Sequence, residues 1–387
     1  MDYDLIIVGG GLAGLALAVA LRRTRLKVAV IETRAPVQPA GWDARIYAVS
    51  PSNARFLNEI GIWQHLDLDR CMPVRKMTVH GDRGGDLEFS AYGSGVGELA
   101  WIMESSLLQR ELWETARRQG NVDLICPAVP AQLDIGDREA VLELADRRTL
   151  TAKLIVAADG ADSWTRTTAG IDVDFLPYDQ MGVVANFSTG QPHHETAWQW
   201  FRADGILAYL PLPGEQISIV WSTPTDHAQE LLALDPAEFC ERVAAAGNYQ
   251  LGGLGLVTPP AGFPLRLMRA PNTVAHRLAL IGDAAHTIHP LSGHGINLGF
   301  QDAKSLAAVL AACPAHIDCG DLQWLRRHER ARREEVVALQ SVTHGLQRLF
   351  GAPQTQNVPL AALRNFGMNL FDRLPVIKDA LTRYAMG

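Results

Sequence analysis

The first apolar stretch, residues 3–8, is short enough for a strand buried on both faces. Residues 12–22 repeat apolar positions at helical spacing, and 26–31 make a second short strand. Residues 75–90 read as strand, glycine-rich turn (Gly81, Gly84, Gly85) and strand. Residues 102–120 are expected to be helical, with strands near 122–126, 140–144 and 154–158. Alternation and aromatic residues dominate 182–222, where 182–187, 197–201, 207–211 and 216–221 predict an antiparallel sheet. A helix follows at 236–246 and a strand at 278–281. Helices are expected at 302–312 and 321–347, with 326–335 a solvated charged stretch. The pattern predicts an α/β fold: a Rossmann-like domain interrupted by a second domain with a mainly antiparallel β-sheet, plus C-terminal helices. The first domain is expected to take 1–70, 101–180 and 263–340, and the second 71–100 and 181–262. Residues 341–387 form a C-terminal helical segment.

Three turns in this pattern carry candidate chemistry. Between the first strand and helix stands Gly9-Gly10-Gly11-Leu12-Ala13-Gly14, a Gly-x-Gly-x-x-Gly fingerprint. Gly9 makes the tight turn, Gly11 lets backbone approach a pyrophosphate, and Gly14 lets the helix pack on the strand. Leu12 and Ala13 complete the phosphate-facing turn. Glu32 ends the second strand, 18 residues past Gly14, where an acid meets a ribose hydroxyl pair. A glycine-rich turn with a surface Glu is the plainer alternative. The second turn follows the strand at 154–158, with Asp159-Gly160 and then Ser163 and Arg166 facing back from a helix start. Its plainer reading is a strand-end turn with an N-capping Ser. The third is residues 282–297, after the strand at 278–281. Asp283 can accept from a ligand hydroxyl. Pro290 and the backbone amides of Gly293, Gly295, Ile296 and Asn297 meet an anionic or carbonyl-rich ring at the positive end of a helix.

These three motifs together resemble the class A FAD-dependent aromatic hydroxylases, those with the para-hydroxybenzoate hydroxylase fold, over nearly the whole chain. Within that class the chain is most similar to the UbiH/UbiF-type ubiquinone-biosynthesis hydroxylases. The closer likeness rests on Asp43-Ala44-Arg45-Ile46-Tyr47-Ala48-Val49-Ser50, on Gly61-Ile62-Trp63, and on the run from His289 to Gly299. His294 stands where that family usually has Gln, and Ser292 where it often has Ala. The resemblance makes the first domain FAD-binding and the second substrate-binding.

The resemblance also implies site residues. Arg45 lies along the flavin, Gln109 near its ribityl chain, and Val129 meets the adenine through its backbone. Family members often carry Arg where this chain has Ser105 or Ser106. His286 and His289 look structural, while His294 is a candidate for touching substrate or flavin. NADH or NADPH would reduce FAD, reduced flavin would form a C4a-hydroperoxide with O2, and its distal oxygen would attack an electron-rich ring. No second complete Gly-x-Gly-x-x-Gly exists for a nicotinamide, so the reductant is expected near residues 159–166. A deprotonated phenol supplies its own activation, and no side chain stands out as a catalytic base. Trp198-Gln199-Trp200 is similar to the Trp-x-Trp of flavin halogenases, but Phe201-Arg202 replaces the Ile-Pro that should follow. On a strand the two tryptophans share a face and read as packing.

Composition narrows the class. The chain has 387 residues, 48% hydrophobic and 20% charged, which suits an ordered protein of two domains. A net charge of −7 argues against a nucleic-acid binder. Five scattered cysteines without a Cys-x-x-Cys suggest reduced thiols and no metal site. No signal peptide or membrane span is expected, so the location is cytoplasmic, with peripheral contact to the inner membrane. That contact is assigned to the basic, apolar segment 341–387, which either only packs on the flavin domain or also guides a prenyl tail and touches an anionic membrane. The expected function is NAD(P)H- and O2-dependent hydroxylation of a polyprenylated phenol in ubiquinone biosynthesis. A flavin-dependent reductase of an isoprenoid, or a non-catalytic FAD-holding subunit of a multi-enzyme complex, are the alternatives.

Overall fold

The computed structural model describes residues 1–37, 39–81, 85–288 and 295–351. A mixed sheet forms the first layer. Its path runs β18 (Val274–Ala275), β19 (Leu278–Leu280), β11 (Thr149–Ala157), β1 (Tyr3–Val8), β2 (Val28–Ile31) and β8 (Val122–Ile125). A side branch pairs β10 (Ala140–Leu144) with β11 and with β9 (Pro130–Ile135). From β19 to β8 the pairing is parallel. Strand alternation divides β1 between two cores. Leu5 and Ile7 pack with α1 (Leu12–Ala20), α3 (Ser105–Arg117) and α7 (Gly295–Ala311), while Ile6 and Val8 pack with Ala140, Leu142 and Ile155. A strand buried on both faces needs an apolar residue at nearly every position, which is why 3–8 reads as a continuous run.

The second layer is a nine-stranded sheet. Its order is β20 (His286–Thr287), β17 (Ala261–Arg269), β12 (Asp174–Thr189), β15 (Gln216–Pro224), β14 (Gly205–Leu212), β13 (Thr196–Arg202), β5 (Lys76–His80) and β6 (Asp86–Ser90), with β16 (Leu254–Leu256) beside β12. One face, with Val183, Ala185, Phe187, Tyr209, Ile219 and Trp221, packs under α5 (Thr225–Ala233) and α6 (Pro236–Ala246). Trp198 and Trp200 belong to this core, as packing predicts. On the alternate face Ala197 and Leu212 pack with Ile46, Ala48 and Ile102 of a third, smaller sheet. Strand β12 of the nine-stranded sheet begins at Asp174 and β17 ends at Arg269, beyond both ends of the 181–262 segment expected, with 71–100, for this domain.

A three-stranded sheet joins the layers: β3 (Ile46–Val49), β7 (Ala100–Glu104) and β4 (Met72–Val74). Residues 100–104 are therefore strand, not the first turn of the expected helix. Ile102 and Met103 are fully buried there, and a short apolar run fits either periodicity until its partners are known. The helices α2 (Pro51–Glu59), α4 (Trp164–Thr168) and α8 (Leu322–Gly351) complete the described fold. The stretch 326–335 in α8 is only partly solvated. His328 is 1% and Arg332 7% exposed, because Arg332 forms an ion pair with Asp302 of α7. Among the described residues no helix is long and apolar enough to cross a membrane.

Candidate active site

Four neighbouring parallel strands end side by side. Val8 is in register with Ile31 and with Ala157, and Ala157 with Leu280. Gly9, Glu32, Asp159 and Asp283 follow within three residues of those strand ends. The carboxyl edge of a parallel sheet is where such folds bind ligands, so the three sequence motifs converge on one cleft.

The glycine turn is shaped by its contacts. Gly9 adopts φ +109°, and a Cβ there would stand 2.3 Å from the Ala158 carbonyl oxygen. A Cβ on Gly14 would stand 2.2 Å from the Gly9 oxygen. These two glycines are required by the protein itself. At Gly11 a Cβ would meet nothing within 4 Å. That open space lies at the N-terminus of α1, whose first amides have no side-chain cap, an arrangement that fits a pyrophosphate. Leu12 and Ala13 open the helix. Ala13 lies against Gly282 and Gly299, so the glycine turn, the Asp283 turn and α7 approach closely.

Glu32 accepts from the Gly10 amide at 2.7 Å and from Thr33 and Arg34 amides at 2.7 and 3.1 Å. The acid is thus locked beside the glycine turn. Gln109, on α3, donates Nε2 to the Gly10 carbonyl at 2.9 Å. Val129 is 51% exposed and its carbonyl accepts from Ala145, while the neighbouring Ala128 amide donates to the Glu32 carbonyl. The structure therefore brings Glu32, Gln109 and Val129 around one turn. Asp159 behaves differently. Its carboxylate accepts from Ser163 Oγ at 2.5 Å and from the Thr165 amide and hydroxyl, both at 2.9 Å. Three of roughly four lone-pair sites are taken by its own turn. Ser163 in turn caps α4 by accepting from the Arg166 amide at 3.0 Å, the plainer of the two sequence readings.

Asp283 is exposed to the cleft yet closely walled by protein, as a group in a concavity would be. That burial raises its pKa above the usual carboxylate value, with His286, Arg45 and Arg266 pulling it down. Arg45 is exposed and lies within electrostatic reach of Asp283. Arg166 is 3% exposed and spans the site's floor, donating to the carbonyls of Ala284 and Ala161 at 2.9 and 3.0 Å. Tyr47 sits in the same neighbourhood; burial raises its pKa, Arg45 lowers it, and Asp283 raises it further.

At the start of α7, Gly295 has open space around its Cα and Ile296 is half-buried. The Asn297 side chain is engaged within the protein. Its Nδ2 donates to the Ala48 carbonyl at 2.8 Å and its Oδ1 accepts from the Ser50 amide and Asn53 Nδ2, both at 2.9 Å. Asn297 thus fixes the helix start against β3 and α2, and its carbonyl also accepts from Asn53 Nδ2 at 3.2 Å. Pro290 and Gly293, with His289, Ser292 and His294, lie outside the described residues.

Several supporting residues gave no sequence signal. Glu104, 1% exposed, accepts from Arg70 Nε at 2.6 Å and from the Asp43 amide at 2.6 Å. The Asp43 carbonyl accepts from Asn186 Nδ2 of β12 at 2.9 Å. These contacts hold the loop that carries Arg45, but their partners lie 61 and 143 residues apart and share no local pattern. Among the described residues no cluster of His, Cys, Asp or Glu has the arrangement of a metal site.

Comparison with known proteins agrees with this geometry. A family model described as an FAD binding domain matches residues 2–338. The mitochondrial ubiquinone biosynthesis monooxygenase COQ6 of Drosophila melanogaster is 32% identical, with 100% of this chain and 90% of that protein aligned. The 3-demethoxyubiquinol 3-hydroxylase of Escherichia coli is 32% identical over 99% of this chain and 98% of its own length. Among solved structures, p-nitrophenol 4-monooxygenase PnpA from Pseudomonas putida superposes with a TM-score of 0.81, covering 100% of this chain and 98% of that one, at 18% identity. That last likeness shows a shared fold.

Proposed function

This chain belongs to the FAD-binding-domain family of flavoprotein monooxygenases, and from that premise we propose that it hydroxylates the aromatic ring of a polyprenylated phenol on the route to ubiquinone. The observation that carries this reading is the convergence of Gly9, Glu32 and Asp283 on the carboxyl edge of one parallel sheet, beside an antiparallel layer. Bound FAD supplies the chemistry: reduced by NAD(P)H, it activates O2 for transfer of one oxygen atom to an electron-rich ring.

The chain's residues bind, orient and shield. Amides at 11–13 would receive the pyrophosphate, and Glu32 would accept from the adenosine ribose, with Val129 alongside the adenine. Gln109 fixes the Gly10 carbonyl and with it the turn. Asp283 would accept from the ribityl chain, and backbone amides from Gly293 to Asn297 would meet the ring. Arg45 offsets the charge of Asp283. The apolar packing of Ala197 and Leu212 on Ile46, Ala48 and Ile102 keeps water from the boundary between the layers, as this chemistry requires. The phenol activates itself by deprotonation, so no protein base is assigned. The reductant is placed near residues 159–166. The C-terminal residues 352–387 lie outside the described part of the chain. The assignment of segment 341–387 as a guide for the prenyl tail and a contact with an anionic membrane surface, and membership of a multi-enzyme complex, belong to this proposal.

The test is 18O2 incorporation. Purified, FAD-loaded protein given NAD(P)H, a prenylated phenol and 18O2 should yield a ring-hydroxylated product carrying one 18O. A reduced isoprenoid without added oxygen would overturn the proposal in favour of a reductase, and no NAD(P)H-driven flavin reduction would favour a scaffold.

A further inference from the structure

Asp302, in α7, is 2% exposed and holds both ends of the turn whose apex is Asp283. Its Oδ2 accepts from the Gly282 amide at 2.9 Å and from His286 Nε2 at 2.7 Å. Its Oδ1 accepts from Arg332 Nε of α8 at 2.8 Å. Gly282 itself stands at φ +59°, a left-handed conformation open to glycine because it has no Cβ. Burial would raise the Asp302 carboxyl, but His286 and Arg332 hold it well below the usual carboxylate range. His328, one turn earlier in α8, is pushed down to about 4 by burial and is neutral. The cation that α8 presents to Asp302 is therefore Arg332, which also pairs with Glu335. A cavity of about 40 Å³ lies among Arg269, His286, Asp302, Arg332 and Val336. Close packing is interrupted there, and α8 holds the turn by this ion pair and by Gln340, whose Nε2 donates to the Met268 and Thr287 carbonyls at 3.0 and 3.3 Å.

We propose that Asp302 is a positioning residue for the flavin and that Arg332, beside His286, helps to keep it charged and aimed. The inference rests on the FAD reading above. Neither residue is placed in contact with FAD. They act by fixing the Gly282 amide and His286, and thereby the place of the Asp283 carboxylate in the cleft. Helix α8 thus contributes to cofactor affinity from behind the site.

The experiment titrates FAD into apo-protein and records the visible flavin spectrum for wild type, Arg332→Met, Arg332→Lys and Val336→Ala. Loss of a charge-assisted bond predicts about tenfold weaker FAD binding in Arg332→Met, with shifted flavin bands. Arg332→Lys keeps the cation and should stay within about threefold of wild type. Val336→Ala loosens α8 without touching charge, and should lower Tm while leaving FAD affinity at the wild-type value. Wild-type affinity in Arg332→Met overturns the proposal. So does FAD loss in Val336→Ala equal to that in Arg332→Met at matched Tm loss, which would reduce the effect to general loosening. Should Arg332→Met fail to fold, Glu335→Gln at the outer end of the pair takes its place. It should weaken FAD by about threefold with a smaller band shift, and no change would overturn the proposal. Wild type that binds no FAD sinks the functional reading as well, whereas bound FAD indifferent to these variants sinks this inference alone.

Discussion

Gln109 Nε2 donates to the Gly10 carbonyl at 2.9 Å, tying a helix that begins at Ser105 to the turn at the start of the chain. Gly10 is held on its other side too, its amide donating to Glu32 at 2.7 Å. The peptide units before Gly11 are therefore fixed by an amide and a carboxylate before any ligand arrives, which lowers the ordering cost of binding. Removing one neutral bond costs about 0.5–1.5 kcal/mol, so Gln109→Leu should weaken FAD binding roughly fivefold. Isothermal titration of the apo-protein measures this, and unchanged affinity would show that the turn holds itself.

The glycines separate into two kinds. Gly14 has no room for a Cβ because the Gly9 oxygen would stand 2.2 Å away, whereas Gly11 has nothing within 4 Å. Gly14→Ala should lower the Tm of the apo-protein. Gly11→Val should leave that Tm near wild type, because its new side chain enters space reserved for the pyrophosphate. The purified Gly11→Val protein should be colourless where wild type is yellow. A Gly11→Val protein that keeps stoichiometric FAD would refute the assignment of that space.

The local parts of this site were legible because each is a strand, a turn and a helix in sequence. Gly9 to Glu32 obeys a spacing set by one βαβ unit, and Asp283 lies three residues past a strand end. What escaped is long-range. The 100–104 strand depends on partners at 46–49 and 72–74, and Arg332 looked solvated because its acid, Asp302, is 30 residues away on another helix. Asn297 is expected to turn its backbone amide to a ligand; what the sequence does not show is that its side chain serves Ala48, Ser50 and Asn53, more than 240 residues away. A polar residue at a helix start reads the same whether a ligand or a distant loop takes its hydrogen bonds.

Arg70 and Glu104 make an ion pair, buried at its acidic end, that holds the Arg45 loop. Glu104 is 1% exposed on its side chain and Arg70 25%. Arg70→Ala leaves the Glu104 carboxylate in the interior without its cation. Breaking such a pair costs about 3 kcal/mol, more than replacing both partners by apolar groups. In urea unfolding the Arg70→Met/Glu104→Leu double variant should therefore be more stable than Arg70→Ala. The reverse order would mean that the pair contributes little and that the loop is held by Asn186 and Asp43.

Asp283 sets binding against stability. Burial raises its pKa in the folded protein, with His286, Arg45 and Arg266 opposing. Between the ordinary Asp value of about 3.9 and the raised one, the folded chain binds a proton that the unfolded chain has released. Stability therefore falls as pH rises through that window, and the full cost of the ionised carboxylate persists above it. Asp283→Asn removes the charge and keeps the shape. In the apo-protein it should raise Tm at pH 7, with the gain shrinking towards zero as pH approaches 4. The same group is assigned a charge-assisted bond to the ribityl chain, of about 1.5–3 kcal/mol, so FAD affinity should drop tenfold or more in Asp283→Ala. Tm scans of apo-protein from pH 4 to 8, with FAD titrations at pH 7, measure both sides. A gain in Tm with no loss of FAD affinity would leave Asp283 a strained bystander, and a loss of both would make it a structural residue of the turn.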